Sequence, residues 1–166
     1  MSTLPPTEEN LASRIAHLGG ILASSQFPTG DRASLRRMSL DQPLPMTFYR
    51  FAHRHLPEDW ELRWQDWVTL VAGMAIMSPK AHRPDRGLGR ALAEAGYSEA
   101  RLERLLAAEG DTRRLLLLRV ARFASAKGTP FNWTDAARLL FTMESEKREN
   151  LHRQIARDFY ASTRGD

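Results

Sequence analysis

The chain contains no cysteine, which removes disulfides, thiolate zinc sites and thiol nucleophiles together and fits a cytoplasmic setting. No run of about eighteen apolar residues is present, so no segment reads as a membrane-spanning helix and no membrane partner is expected. The opening stretch MSTLPPTEEN is polar and acidic and lacks the pattern of a signal peptide. Nowhere do apolar and polar residues alternate with the period of a half-buried strand. The phosphate-binding loops G-x-x-x-x-G-K-[ST] and G-x-G-x-x-G are missing, as is the zinc motif H-E-x-x-H. Lysine is scarce: among 24 cationic residues only Lys80, Lys127 and Lys147 are lysines.

What remains is an arginine-rich chain of 166 residues, long enough to bury a core, with net charge +4 and a pI near 9.9. Guanidinium groups suit phosphates and carboxylates and stack on bases, although a GC-rich coding sequence also favours them. The charge excess is modest, so an anionic partner would be met by local patches.

Every apolar pattern has helical spacing. In DTRRLLLLRVARFASAKG (111–128), residues Leu116, Leu117, Val120, Phe123 and Ala124 share one face at ~100° per residue, and Leu115 and Leu118 widen it. Arg119 and Arg122 lie side by side on the narrow sector left over. That stripe fits either a ligand-facing track or charges paired with neighbouring acids. Leu11, Ile15, Leu18 and Leu22 mark an earlier helix capped by Thr7. A short helix over 31–38 carries Arg32, Arg36 and Arg37 outward while Leu35 and Met38 anchor it; these arginines fit phosphate contact and solvated surface equally. Met46–His55 reads as a further helix with Phe48, Phe51 and Ala52 inward. His53 and His55 point roughly 200° apart on a helix, so their spacing does not make a metal site, and no metal or other cofactor is expected.

Trp60, Trp64, Trp67, Val68, Val71 and Ala75 form a helical stripe read as a buried seam, with base stacking as the other use. The segment PKAHRPDRGLG (79–89) is a basic loop with Lys80, Arg83 and Arg86, and it is the candidate boundary between a bundle over 1–86 and another over 87–166. Beyond it a helix from Leu88 carries Arg90 and stops at Gly96. Ser98 caps a helix with Leu102, Leu105 and Leu106 inward and Arg101 and Arg104 outward, closed by Gly110. Asn132 and Asp135 suggest a capping box for a helix from which Arg138 projects. The last helix, from about Glu146 to Ser162, buries Leu151, Ile155 and Phe159 and exposes Lys147, Arg148, Arg153 and Arg157. The expected fold is all-α, two small bundles with eight or nine helices. The absence of clustered carboxylates or spaced histidines argues for a non-enzymatic protein without a small-molecule substrate.

Three segments in succession carry a resemblance: GDRASLRRM (30–38), GLGRALAEAG (87–96), and NWTDAARLL (132–140) followed by EKRENLHRQIARDFY (146–160). Together they resemble the CasB family, the small subunit of the type I-E CRISPR surveillance complex Cascade. The resemblance implies a non-catalytic helical protein present twice in that complex, in contact with its backbone and large subunits, the guide crRNA and target DNA. Its implied role is to stabilise the opened target, at both the displaced strand and the guide–target hybrid. It carries over Arg36, Arg37, Arg90, Arg119, Arg138, Lys147 and Arg148 as nucleic-acid contacts. Local charge adds Arg32, Lys80, Arg83, Arg86 and Arg122. Replacing Arg36, Arg37 and Arg119 by alanine is expected to weaken target opening with little change in thermal stability. A sequence-specific helix-turn-helix regulator is the alternative, with 98–123 as its nearest candidate, although the second helix is leucine-rich and poor in Asn and Gln. A protein-only adaptor is the third reading.

Overall fold

Helical spacing of apolar residues dictates what is seen in the computed structural model, which describes residues 8–163. Among the described residues there are nine α-helices and no strand. They are α1 (Glu8–Ala23), α2 (Thr29–Arg36), α3 (Met46–His55), α4 (Trp64–Met77), α5 (Leu88–Glu94), α6 (Glu99–Ala107), α7 (Gly110–Lys127), α8 (Trp133–Phe141) and α9 (Ser145–Thr163). Among them no helix is long and apolar enough to cross a membrane. Thr7, expected to cap α1, lies outside the described residues.

The centre is α4. Asp66 to Ala75 and Met77 are buried along it, except Ile76, and it packs against α1, α2, α7 and α8. Each such Leu or Val side chain contributes about 1.5–3 kcal/mol by leaving water. The apolar residues expected in α1, α3 and α9 are all buried in the same cluster, joined by Trp133, Ala136, Ala137, Leu139 and Leu140 of α8. The second close pairing is α5 on α9. A Cβ on Gly89 would lie 2.1 Å from the Ile155 carbonyl oxygen, so only glycine lets these two backbones approach this closely.

Helix ends follow local chemistry. Ser98 Oγ accepts the Arg101 N–H at 3.2 Å, and Gly128, with φ of +65°, closes α7 in the left-handed conformation. Several expectations are corrected. Trp60 sits in a 3-10 turn (Trp60–Arg63) before α4, so the tryptophan stripe is broken: Trp67 is buried, Trp60 half-buried and Trp64 exposed. Gly110 opens α7 instead of closing α6. Leu115 is exposed while Leu118 is buried, because α4 covers only part of α7. The capping box is half formed. Asn132 Oδ1 accepts the Thr134 N–H, but Asp135 turns away from Asn132 and accepts the Leu88 N–H at 2.9 Å.

One polar knot holds the junction of α4 and α7. Buried Asp66 accepts from Arg63 Nε and from Arg114 Nε, both at 2.8 Å, and Arg114 also reaches Asp111 at 2.7 Å. Arg113 is buried and donates to the Ala108 and Leu139 carbonyls, both at 2.9 Å. Held on these carbonyls and acids, Arg63, Arg113 and Arg114 are framework.

Candidate nucleic-acid interface

The basic residues separate into groups according to what their guanidinium groups already hold. Arg32 donates to the Leu22 and Ser24 carbonyls at 2.8 and 3.2 Å, closing the C-terminal end of α1, and lies over the Phe27 ring. Arg36 donates from Nε to the Ala75 carbonyl at 2.7 Å and from Nη2 to the Ser78 carbonyl at 2.8 Å. A cation at the carbonyl end of a helix satisfies orphan acceptors and opposes the negative end of the dipole. The side chain remains partly in solvent, so Arg36 stands at the surface with its donors turned inward.

The two arginines of the loop 79–87 are held in ion pairs, as is Arg90 just beyond it. Arg83 meets Asp85 at 2.9 Å, and Arg86 and Arg90 meet Glu94 at 3.2 and 2.7 Å. The hydrogen bond from Arg90 and the charges of Arg86 and Arg90 hold the Glu94 carboxyl below its usual range. The loop backbone is fastened to the start of α8: the Arg83 N–H donates to the Phe131 carbonyl at 2.9 Å, and the Asn132 N–H donates to the Arg86 carbonyl at 2.7 Å. His82 Nδ1 accepts the Trp133 N–H at 3.1 Å, and burial lowers the His82 pKa. Arg138 turns onto Asp135 at 3.4 Å instead of projecting away. Burial raises the Asp135 pKa against the opposing pull of the Leu88 N–H and Arg138. On α9, Lys147 pairs loosely with Glu144 at 3.5 Å and Arg148 with Glu109 at 4.0 Å. The first pair is exposed on both sides and the second is long with Arg148 half-buried; such pairs are weak and exchange readily for an incoming phosphate.

Arg37, Lys80, Arg119 and Arg122 are exposed and meet no carboxylate among the described residues. The fold brings several basic positions to one place. Ser125 Oγ donates to the Ile76 carbonyl at 3.3 Å, setting the C-terminal part of α7 against the C-terminal end of α4. Arg36 caps that same end, Lys80 follows it in the chain, and Arg122 lies one turn before Ser125. Arg90, Arg138, Lys147 and Arg148 belong to α5, α8 and α9.

Two further cations received no role from the sequence beyond facing outward. Arg101 and Arg104 of α6 converge with Arg119 of α7 around the Tyr97 and Phe123 rings. Their spacing of three placed them on one face of α6, but only the packing of α6 on α7 shows which neighbour that face meets.

A family model described as CRISPR-associated protein Cse2 matches residues 31–160, from within α2 to near the end of α9. No curated protein matches the chain. Apart from Gly30, the matched stretch contains all three segments that carried the resemblance, and every one of the basic residues described above. With an all-helical fold over that whole length, the chain belongs to the CRISPR-associated Cse2 (CasB) family and is a subunit of the CRISPR Cascade complex.

Proposed function

We propose that the chain is a non-catalytic subunit that holds nucleic-acid backbone without reading sequence, and so stabilises target DNA opened by an RNA guide. The observation that carries this reading is the set of exposed, unpaired cations Arg37, Lys80, Arg119 and Arg122 on a rigid helical frame. Exchange of a DNA duplex for an RNA–DNA hybrid is nearly balanced, so a few phosphate contacts are enough to tip it. Arginines aimed at phosphates supply that energy and leave specificity to base pairing. Lys147 and Arg148, in loose pairs, join the contact surface. Arg32 and Arg36 act chiefly from within, holding helix ends, Arg138 rests on Asp135, and Arg83, Arg86 and Arg90 give up acid partners if they bind. The partners are the other Cascade subunits, the guide crRNA, the target DNA and a second copy of the chain, in the cytoplasm.

The test is a reconstituted complex in which Arg37, Arg119 and Arg122 are replaced together by alanine. Permanganate footprinting of the displaced strand should show reduced opening, while assembly with the guide RNA is retained. Opening equal to that of the parent refutes the assignment. For the helix-turn-helix alternative, α7 would have to enter a groove, yet Leu116, Leu117, Leu118, Val120, Ala121 and Ala124 are buried along it. Selection from random DNA separates the readings: an enriched motif favours the regulator. The division into bundles 1–86 and 87–166 is proposed on loop composition alone. Two resolved unfolding transitions would support it, and a single one would refute it.

A further inference from the structure

The helix α6 sorts its charges by face. Glu99 accepts the Tyr160 hydroxyl of α9, and Glu103 lines the cleft between α6 and α9 with Arg148 and Arg153. Arg101 and Arg104 face the other way, toward α7. There they enclose with Arg119, Tyr97, Leu116 and Phe123 a pocket of about 300 Å³ whose lining contains no acid. None of the three guanidinium groups meets a carboxylate among the described residues. Burial raises the Tyr97 pKa, against the opposing pull of the Arg101, Arg104 and Arg119 charges.

The aromatic rings fix the cations. Tyr97 and Phe123 pack edge to face with centroids 5.1 Å apart, and the Arg101 guanidinium lies 5.7 Å from one ring centre and 5.9 Å from the other. Lys127 Nζ stands 5.8 Å from the Phe123 ring. A guanidinium held over aromatic faces has lost side-chain freedom before any ligand arrives, which lowers the entropic cost of binding. Three like charges gathered without a counter-ion repel one another, and an anion entering between them relieves that repulsion.

We propose that this pocket binds one nucleotide of a single-stranded polynucleotide, its phosphate on Arg101, Arg104 and Arg119 and its sugar or base against Tyr97, Leu116 and Phe123. This inference rests on the backbone-binding reading above and adds the place where the unpaired strand is held most firmly. The volume lies at the small end of ligand pockets, suited to one nucleotide unit. Apolar walls beside the cations favour a ligand that joins a flat or furanose ring to each charge, as a nucleotide does and a glutamate side chain does not. From Arg119 the track continues along α7 through Arg122 to Lys127, about 12 Å along the helix axis, so neighbouring phosphates meet further cations.

The test uses the full chain and a thymidine oligonucleotide carrying 4-thiothymidine. Photo-cross-links should map to peptides containing Tyr97 or Phe123. The double variant R101A/R104A removes two side chains that hold no internal side-chain hydrogen bond, so it should remain folded, confirmed by its circular dichroism. It should bind the oligonucleotide about tenfold more weakly, a loss of roughly 1.4 kcal/mol. Its salt dependence should be shallower by about 1.4, two single-strand phosphate contacts. If the parent binds but cross-links map elsewhere and the variant binds equally well, the pocket is refuted and the general reading stands. If the parent does not bind the oligonucleotide at all, both fall. Equal affinity for poly-glutamate, equally weakened in the variant, would mark an acidic-peptide site and overturn the proposal.

Discussion

Arg36 and Arg37 are adjacent in sequence and both read as outward-facing cations, yet their replacement should have opposite signatures. Arg36 makes two charge-assisted hydrogen bonds, at 2.7 and 2.8 Å, to carbonyls at the end of α4. Such bonds contribute about 1.5–3 kcal/mol each when shielded, and exposure of this side chain lowers that figure. Arg36→Ala should therefore cost about 1–3 kcal/mol, including the carbonyls left without a donor. For a domain of this size that lowers Tm by roughly 3–10 °C. Arg37 has no such partner, so Arg37→Ala should change stability by less than about 0.5 kcal/mol. Thermal unfolding followed at 222 nm reads the first difference, and fluorescence anisotropy with a labelled oligonucleotide reads binding. Arg37→Ala should lose affinity without losing stability. The expectation that a triple replacement of Arg36, Arg37 and Arg119 is thermally silent is corrected accordingly. Equal Tm values for the two single variants would refute the capping role of Arg36.

Gly89→Ala should destabilise by about 3 kcal/mol or more, because the new Cβ meets the Ile155 carbonyl oxygen in backbone that cannot yield cheaply; the urea midpoint measures it. Stability should also fall in mild acid. Burial lowers the pKa of His82, and burial with nearby cationic groups lowers those of His55 and His152. A histidine depressed in the fold contributes stability that is complete above about pH 6.5 and is lost as pH falls through its lower folded value. The slope is at most about 1.4 kcal/mol per pH unit for each histidine, and His82→Leu should make it shallower, as urea titrations between pH 7.5 and 5 would show.

Much of the frame was legible because burial and helical period coincide. Met46–His55 matches its expected bounds, and Leu151, Ile155 and Phe159 are buried as their spacing requires. Ser98 caps as its position suggests, since capping needs only residues near in sequence. Trp60 misled because a 3-10 turn and an α-helix rotate side chains differently, and spacing alone does not say which one precedes Trp64. The site was less legible for a different reason. Arg32 and Arg36 are held by carbonyls of distant helix ends, and carbonyls leave no mark in a sequence. Arg138 was expected to project, but its acid partner lies one turn away and faces inward. Arg101 and Arg104 acquire meaning only when α6 is laid against α7.

The central claim is that fixed, unpaired cations on this frame hold polynucleotide backbone. The most direct measurement is the affinity of the chain for a mixed-sequence single strand between 50 and 200 mM salt, as a log–log slope. Contacts from Arg37, Lys80, Arg119 and Arg122 alone predict a slope of about −3, steeper if the pocket residues add to them, and little change when the base sequence is scrambled. A slope near zero, or an affinity that depends on the order of bases, would contradict the account.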